Sequence, residues 1–169
     1  MSFRPLVLAT ALLSPLLVAC DISDEGPTHT RENVFSYVSP VAAGSTLHLR
    51  TARGDITVEP SKDDTLRVFG DYAWRGSSEP ASEVTVSGTA LPGGVLVCAE
   101  WSGRRSECST ENYQVDLSGR AGKTRVNFRV QVPAGVKLDL LGIDSEIVSA
   151  SSAPVIARSV NGSIRLERH

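Results

Sequence analysis

Three kinds of residue in this chain could carry chemistry, and each is poorly arranged for it. The histidines His29, His48 and His169 lie far apart, so no two share a local element. A general base needs a nucleophile placed beside it. His48, alternating with Leu47 and Leu49, reads instead as a strand residue facing solvent opposite the apolar side. Four carboxylates, Asp55, Asp139, Asp144 and Glu146, lie among short strand-like segments and could meet across them. Cleavage of a glycosidic bond requires two such groups a few ångströms apart with divergent pKa values. Sequence offsets do not establish that pairing, and acids at turns are usually solvated corners. No nucleophile elbow, phosphate loop, His-Glu-x-x-His motif or calcium loop occurs, so neither a catalytic residue nor a metal or cofactor site is expected. Arg125 and Arg129 alternate on the polar face of one strand-like run, with Arg50 and Arg53 as expected neighbours. They form a candidate anion-binding face, because the planar guanidinium fork matches carboxylate and phosphate. Any exposed strand face looks similar.

The 169 residues fit one domain with accessory segments. With 19 acidic against 17 basic side chains, the net charge of -2 provides no basic field for gripping a phosphate backbone, so no nucleic-acid partner is expected. Fourteen glycines, nine prolines and abundant Val and Thr favour strands joined by tight turns over helix bundles.

Residues 1–20 read as an export signal. Arg4 supplies the positive charge, and the mostly apolar stretch Leu6 to Val18 holds 13 residues with Pro15 inside it. A membrane-spanning helix needs about 20. In an oxidising compartment Cys98 and Cys108 most simply form one local disulfide. A two-cysteine metal site and a redox-active pair are the alternatives, disfavoured because no Cys-x-x-Cys motif occurs and no His lies between them. Residues 21–33, polar and containing Gly26 and Pro27, read as a tether.

From Val34 onward alternation replaces polarity. The clearest run is Arg125 to Val132, with Val126, Phe128, Val130 and Val132 on one face. Weaker alternation marks Leu47 to Leu49, Leu66 to Trp74, Val84 to Gly88, Val95 to Trp101 and Tyr113 to Leu117. In the second of these Leu66, Val68, Tyr72 and Trp74 share a side, so both rings belong in the core rather than on a carbohydrate platform. A repeat closes the chain. Leu138, Leu140, Ile143, Ile147 and Ser149 recur, displaced by 17 residues, as Val155, Ala157, Val160, Ile164 and Leu166. Leu47, Leu49, Ala52, Ile56 and Val58 fit the same template. Each copy holds a polar turn: Arg53-Gly54-Asp55, Asp144-Ser145-Glu146 and Asn161-Gly162-Ser163. Gly54 and Gly162 permit the positive φ such a corner often needs. Two short strands cannot bury an apolar face alone, so copies must stack. The expected fold is all-β: a single solenoid-like or stacked-sheet domain over residues 34–169, with residues 60–124 as an elaboration carrying the disulfide loop.

Two resemblances add to this. Leu17-Val18-Ala19-Cys20 resembles a bacterial lipobox, which implies cleavage of residues 1–19, diacylglycerol on the Cys20 sulfur, and residues 20–33 as acylated cysteine and tether. One acyl chain binds a bilayer only marginally, whereas two or three hold firmly. The stretches Leu-His-Leu-Arg-Thr-Ala-Arg-Gly-Asp-Ile-Thr-Val (47–58), Val-Pro-Ala-Gly-Val-Lys-Leu-Asp-Leu (132–140) and Ser-Val-Asn-Gly-Ser-Ile-Arg-Leu (159–166) resemble the bacterial domain-of-unknown-function family labelled putative adhesin. That resemblance implies a sheet-rich exported or membrane-tethered body without a catalytic centre. Gly54, Asp55, Asn161 and Gly162 match its turns, while Ser145 stands where it has glycine. The expectation is a non-catalytic binding, adhesion or structural module of the bacterial cell envelope, facing periplasm or exterior. Its expected partners are the membrane through acyl chains and an envelope glycan or protein. A polysaccharide-acting enzyme and an envelope-sensing accessory are the alternatives. If Ile164 to Leu166 is the last rung, its free edge could also pair with another strand.

Overall fold

The computed structural model describes residues 28–75, 83–102, 106–117 and 123–167. The export segment and Cys20 lie outside them. All thirteen elements among the described residues are strands: β1 (Thr28–Pro40), β2 (Thr46–Arg53), β3 (Ile56–Pro60), β4 (Thr65–Arg75), β5 (Val84–Leu91), β6 (Gly94–Trp101), β7 (Glu107–Cys108), β8 (Tyr113–Gln114), β9 (Arg125–Val132), β10 (Lys137–Asp144), β11 (Ile147–Ser149), β12 (Val155–Asn161) and β13 (Ile164–Leu166). One sheet runs β1-β4-β9-β3-β11-β13 and the other β12-β10-β2-β6-β5, with β7 and β8 forming a small ribbon. Neither large sheet closes on itself.

Strict alternation in β9 sends Val126, Phe128, Val130 and Val132 inward and its polar residues outward. Their partners in the core come from both sheets: Leu47, Leu49, Val95, Val97, Leu138 and Leu140 from one, Ile56, Val58, Val68 and Ile147 from the other. Tyr72 is also inside, and its hydroxyl donates to the Val84 carbonyl at 2.8 Å. Trp74 is only partly buried and stacks on His29, ring centroids 5.5 Å apart.

The residues displaced by 17 positions pair with each other in parallel. Leu138 and Leu140 lie beside Val155 and Ala157, and beside Leu47 and Leu49 on the other flank. Ile147 likewise lies between Ile164 and Ile56. The chain does not wind through these pairs in order, however. β2 sits between β6 and β10, and β3 between β9 and β11, so the first pair is held on both sides by later segments.

The corners connect through the backbone. Gly54 N–H donates to Asp144 O at 3.3 Å, and Ser145 N–H to Asn161 O at 2.9 Å. Gly54 and Gly162 have φ of +122° and +144°, and a Cβ on either would stand 2.0 Å from a carbonyl oxygen of the adjoining segment, Val126 or Ser145. Ser145, between them, has no positive φ, so its corner turns without glycine. Its side chain points inward over Gly142, where its hydroxyl is buried without a hydrogen-bond partner.

Residues 28–33, expected in a tether, instead begin β1 and pair with β4. Their polarity hid them: this half of the strand is exposed and leans on no core. A bulge at Asn33, whose φ is +51°, breaks the alternation as well, and Asp71 steadies it by accepting the Asn33 N–H at 2.7 Å.

Candidate functional site

The outer face of the five-stranded sheet gathers three ionisable side chains around one carboxylate. Asp139 on β10 lies directly opposite His48 on β2, and Leu141 lies between Arg50 on β2 and Arg158 on β12. Residues of one parity face outward on adjacent strands, so these side chains converge diagonally. Asp139 Oδ2 accepts from Arg50 at 2.5 Å and lies 2.9 Å from His48 Nδ1, while Oδ1 accepts from Arg158 at 2.9 Å. Arg50 also donates to the carbonyls of Asp139 at 2.8 Å and Thr110 at 2.7 Å.

Burial explains why the cluster must be so fully bonded. The Arg50 side chain is 3% exposed and that of Asp139 12%, so each charge needs the other. The cover over Arg50 is the disulfide loop. Cys98 sits in register with Arg50, and its bond to Cys108 draws residues 107–114 across the sheet. Tyr113 pins that segment by donating to Ala99 O at 2.6 Å, and burial, together with the Glu100 charge, pushes its phenol well above the usual range. Burial alone would raise the Asp139 carboxyl. The hydrogen bonds from Arg50 and His48 and the charges of Arg50 and Arg158 outweigh it and hold the group below the ordinary carboxylate range.

One anion therefore serves two guanidinium groups, and the surplus positive charge stands at the surface. Arg158 is 60% exposed. It borders a groove of about 340 Å³ lined by Thr46, His48, Lys137, Asp139, Ile156 and their neighbours. A second depression of about 480 Å³, reaching Leu91, Pro92 and Thr110, shares Thr46 and His48 with the first. The two flank His48 along one face.

The expected anion face is arranged differently. Arg129 binds Asp71 through Nε at 3.0 Å and Nη2 at 3.2 Å and reaches Asn33 Oδ1 at 3.1 Å. Arg125 reaches Asp55 at 3.2 Å and Asp144 at 3.7 Å. Both guanidinium groups thus face carboxylates of the chain itself. Arg53, 3.8 Å from Asp144, does adjoin Arg125 through that acid. Arg50 does not, because β2 and β9 belong to different sheets. His48 faces outward as expected, but Asp139 holds it and it does not stand free in solvent. Of the four carboxylates, Asp55 and Asp144 converge on Arg125, Asp139 is bonded to Arg50, Arg158 and His48 instead, and Asp55 accepts the Glu146 N–H at 3.1 Å. Asp55 thereby ties its corner to the next, and Asn161 serves through its carbonyl. Among the described residues no group of three or more His, Cys, Asp or Glu could hold a metal ion. The Asp139 cluster was readable in principle. In the 17-residue register His48, Asp139 and Ile156 share one position, and Arg50, Leu141 and Arg158 another.

No family model matches the chain, and no curated protein matches it. A solved structure of a putative cell adhesion protein from Clostridium sporogenes is similar at 12% identity and a TM-score of 0.40, over 81% of this chain and 59% of that one. This chain therefore spans less than two thirds of that neighbour's length.

Proposed function

We propose that this protein is a lipid-anchored module of the bacterial envelope that binds an anionic ligand, without catalysis, in the groove beside Arg158. The carrying observation is the charge count around Asp139: one carboxylate bonded to Arg50, Arg158 and His48, with Lys137 also lining the groove. Arg158 presents its guanidinium beside exposed Ile156, a mixture of cation and apolar surface suited to a uronic-acid sugar. The twin depressions on either side of His48 suit an elongated chain more than a compact molecule. A binding role is favoured over a hydrolytic one by the engagement of Asp55 and Asp144 with the same guanidinium, that of Arg125.

Within this reading the pairs β2–β3, β10–β11 and β12–β13 are coils of a short solenoid. It is a scaffold whose flat outer face carries the groove, and acyl chains on Cys20 would hold it at the membrane. Titration calorimetry with a polygalacturonate oligomer tests the binding claim. Arg158→Ala and Lys137→Ala should each weaken affinity about tenfold, and affinity should fall as salt rises. Equal affinity for both variants, or for a neutral oligomer, would overturn it. Metabolic labelling with a palmitate analogue should mark the wild type and not Cys20→Ala.

A further inference from the structure

The end of the two sheets formed by β12 and β13 exposes apolar side chains beside unpaired strand edges. Among the described residues both strands are the outermost of their sheets at the same end, and each is paired on one side alone. The inward residues of β13 carry the apolar repeat yet stay exposed: Ile164 at 43% and Leu166 at 52%. The equivalent residues one and two coils back, Ile147, Ile56 and Val58, are fully buried. A further layer of strands would bury this end in the same way.

We propose that the layer is the same end of a second copy, joined across a two-fold axis through Leu166. The backbone phase supports this axis. Ser163 O and Glu167 N–H are already bonded to β11, at Ile147 and Ser149, so along this strand Ile164 and Leu166 turn their N–H and C=O groups to the open side. Antiparallel pairing centred on Leu166 lets the two Leu166 residues exchange both backbone bonds. The same register sets Arg165 of each copy opposite Glu167 of the other, on the outer face, as two cross-strand pairs of opposite charge. Centring on Arg165 instead would oppose two arginines. Leu166 and Ile164 then continue the inter-sheet core across the junction. Pairing of this end with the opposite end is disfavoured, since the edge strands there, β1 and β5, expose mainly polar residues. An isologous contact also closes after two copies, as most soluble assemblies do.

Sedimentation of the exported full chain carrying Cys20→Ser, from about 1 to 200 μM, tests the proposal free of acyl-driven association. The expected result is a monomer–dimer equilibrium within that range. Arg165→Glu and Glu167→Arg should each weaken it at least tenfold, because each places like charges opposite one another. The double exchange should restore it, and thermal melts at dilutions where every form is monomeric should match, since both side chains are exposed. A wild type that stays monomeric, single variants that dimerise normally, or a double variant that fails to recover would each overturn the proposal. The last outcome would mean that a different strand-bearing partner fits this edge.

Discussion

Asp139→Asn isolates the most consequential electrostatic feature of the fold. The substitution keeps size but replaces an acceptor-only carboxylate with an amide, two of whose hydrogen-bonding positions are donors facing other donors. Arg50 is left 3% exposed with a full charge and no counter-ion from β10, its partners reduced to neutral acceptors: the carbonyls of Leu49, Asp139 and Thr110 and at most one amide oxygen. Removing one member of a buried ion pair costs about 3–5 kcal/mol. The three surviving carbonyl bonds place this case at the low end, about 3 kcal/mol, or a fall in Tm of roughly 12 °C at about 4 °C per kcal/mol for a domain of this size. Urea melts at pH 7 with the disulfide intact would read it. Arg50→Met in the Asp139→Asn background should recover at least ~1.5 kcal/mol, because it removes the stranded charge. Arg158→Ala, by contrast, should cost no more than ~1 kcal/mol, since that guanidinium is largely in water. The pH dependence supplies an independent sign. A carboxyl held low in the folded state contributes stability above its unfolded value of about 3.9, lost as pH falls through the folded value. The gap between wild type and Asp139→Asn should therefore narrow below about pH 4. A variant within ~1 kcal/mol of wild type at pH 7, or additive losses in the double mutant, would refute the reasoning.

Three further perturbations probe the corners and the loop. Ser145→Ala removes a buried hydroxyl without a hydrogen-bond partner, so chemical denaturation should find the variant unchanged or stabler by up to ~1 kcal/mol. Gly54→Ala should cost about 3 kcal/mol or more, from its positive φ and the 2.0 Å approach of its Cβ to Val126 O. The same change at Gly162 should mainly speed hydrogen exchange in β12 and β13, because that coil is paired on one side only. Tyr113 and Tyr72 have phenols raised by burial, so the folded state favours their neutral forms and stability should decline as pH climbs above about 10. Tyr113→Phe should flatten that alkaline branch in urea melts between pH 8 and 11, and an unchanged slope would contradict the burial of this hydroxyl.

The all-β character was legible because alternation is a local property. Arg125 to Val132 reads as a half-buried strand and is one, with the same bounds. Residues 17 apart in β10 and β12, and in β11 and β13, are neighbours in the sheets, since residues that bury the same surface on adjacent strands have to match in type. What stayed hidden depends on contacts between distant segments. Polar residues 28–33 give no apolar period, yet form a strand because β4 offers them an edge. Arg50 looks like any outward arginine of an exposed strand. Only the disulfide loop, arriving from residues 107–114, turns it into a buried charge. His48 and Asp139 are 91 residues apart, and either alone is an ordinary polar strand position.

The insertion of β2 and β3 between later segments has a mechanical consequence for this site. Strands paired in chain order could add one at a time, but here β2 and β3 acquire neighbours on both flanks only after β6, β9, β10 and β11 have formed. Such long-range parallel pairing carries a large loop-closure cost and slows folding. Until β10 docks, Arg50 lacks Asp139, and its burial beneath the disulfide loop is unfavourable. The network around Asp139 is therefore satisfied only when both flanks of β2 are in place. This makes the cluster a point where docking of β10 and assembly of the groove are one event: the strand that neutralises Arg50 also brings Lys137 and Asp139 to the groove.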